Sequence, residues 1–421
     1  MEPDLRNILY IAYYFPPMGL SGVQRSAKFV KYLPDYGWKP HVLTITPESF
    51  YAFDGSLLDD FDGRDIIIHR TSSKSKKKNK VRAFPSYLVQ KIGRFVLNFI
   101  FQPDSKIRWK KPAVELGRKI IEEHNIQAIV STAPPFTDFL IARELSEQYD
   151  IPFIVDYRDS WVDNPFHYYP TPFHKNYSLK LEDSILKYAN HIIVLTREAK
   201  ERLLKRYKYI AHQDISIIPH GYDPEDFEHH KDIEPDPAKF TLTHSGVFQD
   251  DRTPKYFLNA VTSFLKKYPK ARSEINLRFV GIMRKSHLKL IKKSGLEDVV
   301  TVTGYVSHSE AVKHLLQSDV LWLMLNDTHR TPGKLYEYFG AAKPILICSP
   351  EGTMRKTALD SGAAIAVGPS DTEGIEDAIK TFYELWKNNT LPQPDVEYIS
   401  KFDRKTLTGA LSKLIGLSLN I

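Results

Sequence analysis

The sequence predicts two doubly wound α/β domains in tandem, each a parallel sheet with helices on both faces. Three observations carry this. The chain has 421 residues, too many for one ordinary core and suited to two domains. Short apolar runs alternate with helix-like stretches along its whole length. A polar stretch without periodicity, 223–239, rich in Pro, Asp, Glu and His, interrupts the alternation near the middle and reads as a linker.

In the first half the expected strands are Ile8–Tyr13, His41–Thr46, Ile66–His69, Ala128–Ser131, Pro152–Asp156, His191–Leu195 and Ile215–Ile218. Helical patterns lie between several of them, at Gln24–Leu33, Ala113–His124, Thr137–Gln148 and Leu179–Ala189. In the second half the expected strands are Phe240–His244, Asn276–Val280, Val299–Thr303, Val320–Leu325, Pro344–Ile347 and Ala363–Val367. Helices are expected at Pro254–Lys267, Lys285–Ser294, Ser309–Gln317, Gly333–Ala342 and Ile375–Lys387. The expected organisation is therefore an amino-terminal domain 1–222, the linker 223–239 and a second domain 240–397.

Composition narrows the class. With 42% hydrophobic residues, wholesale disorder is excluded. A single cysteine, Cys348, permits no intrachain disulfide and no Cys-rich zinc module, and fits a reducing compartment. Neither a signal peptide nor an apolar run long enough for a membrane span is visible, so a cytoplasmic protein is expected. The net charge of +7 is uneven: Arg70–Lys119 holds fifteen Lys or Arg against Asp104 and Glu115, a local +13, which leaves −6 for the rest. Within it, Lys74–Arg82 is a charge run. Ser86–Phe101 has polar residues at steps of four on an otherwise apolar helix. Residues 74–111 therefore suit an anionic membrane surface, or else a core helix under a basic loop. No nucleic-acid-binding module is present.

In open parallel sheets, ligands bind beyond the carboxyl ends of the strands. The loops in those places concentrate Gly, His, Asp and Arg. Gly19-Leu-Ser-Gly22 opens a helix and lets backbone N–H groups approach a phosphate, although its spacing is not the dinucleotide fingerprint. Asp156-Tyr-Arg-Asp159 sets two carboxylates and Arg158 at a strand end, for sugar-hydroxyl binding or acid/base work, or for a structural Asp–Arg pair. Arg252 precedes a helix and suits phosphate oxygens, with Lys255 nearby. In Thr331-Pro-Gly-Lys-Leu-Tyr-Glu-Tyr338, Thr331 is the expected cap and Pro332 the first helical residue. Lys334, Glu337 and Tyr338 then share one face. Lys334 would meet a phosphate there, and Glu337 a ribose. His220, His244 and Gly246 lie in the corresponding loops of other strands. Asp59-Asp60 reads as a solvated turn more than a Mg²⁺ site. No Ser–His–Asp or His-Glu-x-x-His constellation occurs, and no metal ligands are expected.

The ordered loops resemble the family 4-like glycosyltransferases of the GT-B fold, nearest to bacterial transferases of cell-surface polysaccharide assembly. The resemblance is carried by Tyr13-Tyr-Phe-Pro-Pro17 with Gly22-Val-Gln-Arg25, Pro152–Trp161, Pro219-His-Gly221, Gly304-Tyr-Val306 and Pro332–Pro344, and spans nearly the whole chain. It implies two Rossmann-like domains facing across a cleft, with a carboxyl-terminal segment, 398–421, packing back on the first. It also implies a nucleoside-diphosphate sugar held mainly by the second domain and passed to a glycan, lipid-linked in many such enzymes, at the inner face of the cell membrane. Hexosyl or N-acetylhexosaminyl transfer with retention, and without metal or other cofactor, belongs to the same implication. Glu337 matches the ribose-binding glutamate, Gly304, Tyr305 and Val306 the base-contacting loop, and Arg252 with Lys255 or Lys334 the basic pair on the diphosphate. Gly22 matches the glycine loop of the first domain, and Leu335 lies in the donor-binding stretch. Asp159, with Asp156 and Arg158, would bind sugar or acceptor. Two features depart from the family. Position 329 is His where a second glutamate often stands eight residues before Glu337, and Arg252 and Lys255 lie closer together than usual. A nucleotide-sugar epimerase of the same fold and a degenerate, membrane-associated scaffold are the rival readings.

Overall fold

The computed structural model describes residues 5–19, 21–47, 53–71, 99–164, 167–248 and 252–420. The charge run Lys74–Arg82 and nearly all of the amphipathic stretch Ser86–Phe101 lie outside them. The chain divides into two compact units, Met1–Pro219 with Arg404–Ile421, and His220–Asp403.

The first unit is built on a seven-stranded parallel sheet: β1 (Arg6–Ile11), β2 (Trp38–Ile45), β3 (Ile67–Thr71), β4 (Ala128–Ala133), β5 (Phe153–Tyr157), β6 (His191–Val194) and β7 (Ile215–Ile217), in the order β3-β2-β1-β4-β5-β6-β7. Alternate residues serve opposite cores. Leu9, Ile11, Ile129, Phe153 and Val155 pack on one face, Ile8, Tyr10, Val130 and Ile154 on the other. That double burial is why these strands read as unbroken apolar runs. The helix Arg404–Ser418 completes the second of these cores with Leu407, Leu411, Leu414 and Ile415. It is tied down by Trp38 Nε1 donating to Ser412 Oγ at 2.8 Å and Tyr36 Oη to the Lys405 carbonyl at 2.8 Å.

The second unit repeats the design with six strands: β8 (Phe240–Ser245), β9 (Ile275–Val280), β10 (Val300–Gly304), β11 (Val320–Met324), β12 (Ile345–Cys348) and β13 (Ala364–Val367), ordered β10-β9-β8-β11-β12-β13. Trp322, Met324 and Cys348 face one core, Leu321, Leu323 and Ile347 the other. Cys348 is a core residue whose Sγ receives Trp322 Nε1–H at 3.3 Å. In both sheets the strand order reverses between the first and fourth strands, which places a crevice at the carboxyl ends of β1 and β4, and of β8 and β11.

Several expectations need correction. Residues 223–239 are not a linker but part of the second unit. The helix Pro224–Glu228 packs Phe227 into its core, His308 Nε2 lies 3.0 Å from Asp226 Oδ2, and His230 Nε2 2.9 Å from Ser309 Oγ. Residues 398–403 likewise stay with the second unit. The helix expected at Leu179–Ala189 begins at Pro172. Exposed Phe173 and Tyr177 break the amphipathic pattern there, while proline at the helix start is a sufficient signal. Asp60 is not a solvated turn: it accepts from Lys28 Nζ at 2.8 Å and Lys31 Nζ at 3.0 Å, both buried lysines.

Glu182, buried on the helix Pro172–Leu186, has its carboxyl pushed up to about 7 by burial, only partly offset by Tyr207 Oη at 2.7 Å and by Arg206. The folded state therefore keeps a proton that the unfolded chain releases at lower pH. Its contribution to stability is full at acid pH and falls as pH rises toward 7, by on the order of 3 kcal/mol. Denaturant midpoints at pH 5 and pH 8 should drop more for the wild type than for Glu182→Gln. Equal drops would place the pH dependence elsewhere.

Candidate functional site

In the first unit, the site residues gather at the reversal point. Arg25, on the helix Ser21–Tyr32 that follows β1, is fully buried. Its Nε and Nη2 donate to Asp156 at 2.9 and 2.7 Å, and its Nη1 and Nη2 also reach the carbonyls of Pro219 at 2.8 Å and Ile218 at 3.0 Å. Thr132 Oγ1 adds a bond to Asp156 Oδ2 at 3.0 Å. The Asp156 carboxylate is thus fully occupied within the fold. It is a structural anchor, and its partner is Arg25 rather than Arg158.

Arg158 donates through Nη1 to the Gly22 carbonyl and through Nη2 to the Pro134 carbonyl at 2.9 Å. A Cβ on residue 22 would lie 3.1 Å from Arg158 Nη1, so glycine admits this close approach. Asp159 is exposed and has no hydrogen-bond partner among the described residues. Of the three residues expected here, it alone presents a free carboxylate.

One group at this crevice has no counterpart in the sequence reading. Asp138, fully buried in the first turn of the helix Thr137–Tyr149, accepts the Tyr13 N–H at 2.8 Å, while its Oδ1 has no hydrogen-bond partner among the described residues. Burial holds its carboxyl well above the ordinary range. Lys106 Nζ lies 4.9 Å from the Tyr13 ring. The available signal was an acid directly after the Pro134-Pro135 loop.

In the second unit the loops after β8 and β11 converge. Lys334 opens the helix Lys334–Gly340, capped by Gly333. Thr331 and Pro332 thus precede the helix, which starts two residues later than their expected roles would place it. Lys334 Nζ donates to the Ser245 carbonyl, and Tyr338 Oη accepts the Ser245 N–H at 3.0 Å. One helical face therefore grips both ends of the peptide chain at residue 245. Tyr338 Oη in turn donates to the Trp322 carbonyl at 3.0 Å.

Gly246 follows at φ +115°, and a Cβ there would lie 1.3 Å from Lys334 Nζ. Only glycine lets the ammonium sit across this turn. Burial lowers the Lys334 pKa to about 8, with Glu337 opposing and Arg252 reinforcing the shift. His244 shares the same surroundings. Its Nδ1 donates to the Trp322 carbonyl at 3.0 Å, its ring stacks on Phe248 at 4.3 Å, and burial, with Lys334 and Arg252, lowers it to about 3. It is a neutral packing element beside two cations.

Arg252, Lys334, Gly246, His244 and Glu337 are thus brought together. Glu337 is half-buried one turn into the helix and makes no side-chain hydrogen bond among the described residues. Lys255 is not in this group. It is exposed, its Nζ 5.5 Å from the Tyr256 ring, so Lys334 is the cation that accompanies Arg252. The turn at Gly304, φ +74°, bridges Gly281 beside it, with Tyr305 exposed and Val306 half-buried. His329 is exposed, its N–H accepted by Asp327 Oδ1 at 2.9 Å. Leu335 is buried in the core, and His220 is a buried ring 6.2 Å from Tyr336.

Two family models match end to end: Glycosyltransferase Family 4 over residues 22–226 and Glycosyl transferases group 1 over residues 225–393. The chain is a family 4-like glycosyltransferase of the GT-B fold. Solved structures agree at the level of fold. A glycosyltransferase from Rickettsia africae superposes with TM-score 0.65 at 15% identity, covering 99% of both chains. The Anabaena HepE protein in complex with UDP and glucose gives 0.64 at 13%, covering 97% of this chain and 98% of that one. Sucrose-phosphate synthase from Thermosynechococcus elongatus gives 0.63 at 13%, with the same coverage. No curated protein matches the sequence.

Removing the Arg25 guanidinium would strand a buried carboxylate. Arg25→Met should lower unfolding free energy by about 3–5 kcal/mol, read from denaturant midpoints. Arg25→Met/Asp156→Leu should recover a large part of that loss. Additive losses in the double variant would show that the pair is not coupled.

Proposed function

We propose that this glycosyltransferase takes its sugar from a nucleoside diphosphate and transfers it to a glycan acceptor, lipid-linked and part of a surface polysaccharide. The observation that carries the donor reading is the convergence of Arg252 and Lys334 at the reversal point of the second sheet, with Glu337 one turn further on. The Anabaena protein's complexes with UDP and with UDP-glucose support it, and make uridine the first base to test.

In this mechanism the diphosphate lies against Arg252 and Lys334, beside the backbone of Gly246. Negative charge grows on the diphosphate as the glycosidic bond breaks, and fixed cations there lower the barrier without having to reorganise. Lys334 is pre-organised by the Ser245 carbonyl. Phosphate oxygens would favour its charged form. The Glu337 carboxylate, without a side-chain hydrogen bond among the described residues, accepts from ribose hydroxyls. Asp159, exposed just past the end of β5, serves sugar or acceptor, and Asp156 acts only by holding the strand end beside which Asp159 sits. Retention and metal independence rest on the family resemblance.

A lipid-linked acceptor and a peripheral location are supported by exposed Phe99 and Ile100, which fall within the basic stretch of the sequence, and by exposed Phe173 and Tyr177, whose helix meets Phe99 through His174. Among the described residues no helix is long and apolar enough to cross a membrane.

Saturating UDP should raise thermal stability. A ligand at a hundred times its dissociation constant adds about 2.7 kcal/mol to the folded state. Arg252→Ala should cut kcat by about 10²-fold or more, and Glu337→Ala should act mainly on the donor KM. No stabilisation by UDP, GDP, dTDP or CMP would return the chain to a degenerate scaffold, and unchanged turnover in both variants would remove Arg252 and Glu337 from the donor site. Turnover of the donor without any acceptor would point to an epimerase instead.

Lys334 gives the site a pH signature. The donor kcat/KM should decline as pH rises through about 8, where the free enzyme's ammonium loses its proton. In Lys334→Arg, which stays charged, that limb should vanish. An unaltered profile would remove Lys334 from the diphosphate site.

A further inference from the structure

A second cluster of chemistry-bearing side chains lies in the first unit, toward the amino-terminal ends of its strands and away from the loops described above. His41 projects from β2, His69 from the edge strand β3, and His124 from the last position of the helix Lys110–His124. One ring nitrogen of each lies within 4.8 Å of the other two. The His41 ring centroid is 4.4 Å from that of His124 and 5.4 Å from that of His69. We propose that these three histidines form a binding site for a borderline divalent cation, Zn²⁺ first among them, that clips β3 and the Lys110–His124 helix to β2.

The hydrogen bonds around His41 favour this use. Asn7 Nδ2 donates to the His124 carbonyl at 2.6 Å, which fixes which end of the amide is oxygen. Asn7 Oδ1 therefore faces His41 Nε2, at 3.2 Å, and accepts its proton. The Nδ1 of His41 is then the bare nitrogen, and it points at the cluster, 3.2 Å from His69 Nε2. A tetrahedral zinc with Zn–N of about 2.0–2.1 Å sets its ligands about 3.3 Å apart. The His41–His69 pair already has that spacing, and His124 closes the set by a side-chain rotation. An amide that orients a ligating imidazole through its other nitrogen is the usual outer partner of such a site.

The charge balance is compatible. Lys39 is the nearby opposing cation, and it is paired with Asp65 at 3.1 Å. Glu123 places a carboxylate 3.9 Å from His124 Nε2. His69 and His124 are half-buried, which gives an ion a way in and leaves room for water as a fourth ligand. All-imidazole donors suit Zn²⁺, Cu²⁺ and Ni²⁺ rather than Mg²⁺ or Ca²⁺. The site has no part in the proposed sugar transfer, and it stands or falls separately from that reading.

The test uses the full chain after chelator treatment and dialysis. Zn²⁺ is titrated against a chromogenic chelator, with Co²⁺ absorption as a second readout. His69→Gln/His124→Gln spares the buried His41, and circular dichroism with a metal-free melting curve verifies that the variant is folded. The wild type should bind one more Zn²⁺ per chain than the variant, at least 100-fold more tightly than any site the variant retains. It should also show the intense bands of tetrahedral Co²⁺ and a Zn²⁺-dependent rise in melting temperature that the variant lacks. Equal stoichiometry and affinity in the two proteins would overturn the proposal. So would a wild type that binds no Zn²⁺ and shows no thermal shift, a result that needs no variant at all.

Discussion

The first unit depends on one buried guanidinium. Arg25 satisfies Asp156 at the end of β5 and, in the same plane, the carbonyls of Ile218 and Pro219 where the chain leaves the unit. Three segments far apart in sequence thereby share one set of donors. An arginine does this where a lysine would not, because its fork offers several N–H groups in fixed directions. Desolvating both charges is costly, and the bonds from Thr132 and to the two carbonyls are what make the burial tolerable. The loop carrying Arg158 and Asp159 takes its position from this arrangement.

The second unit solves the same problem with a neutral bridge. Tyr338 links Ser245 and the Trp322 carbonyl, so the ends of β8 and β11 are joined by a phenol. Lys334 then lies over Gly246 with its ammonium held by backbone. The two crevices are therefore built differently. The first crevice seals Asp156 under Arg25, while the second gathers Arg252, Lys334 and Glu337 near Gly246. The proposed donor site rests on that grouping of charges.

Much of this was legible in the sequence. The strands were readable because burial on both faces leaves unbroken apolar runs, and the loops beyond them followed from topology alone. Lys334 and Glu337 stood out through their spacing at the start of a helix. Residues whose role depends on distant partners were not legible. Nothing local distinguishes Asp156, sealed under Arg25, from Asp159, which is open to solvent. Asp138 meets Tyr13, and the three histidines meet one another, only through the register of strands and helices distant in sequence. The linker reading of 223–239 failed because a polar, proline-containing stretch can still anchor itself through one aromatic residue, Phe227, and two histidine contacts.

The helix Arg404–Ser418 has a consequence for biosynthesis. The first unit is discontinuous: one of its two cores stays unfinished until Leu407, Leu411, Leu414 and Ile415 are in place, although its sheet is made from the first 219 residues. The second unit is continuous in sequence and can reach its native state as soon as it leaves the ribosome. The part made first is thus the part completed last. Until that segment is made, one apolar face of the nascent amino-terminal half stays open, the kind of surface that chaperones bind.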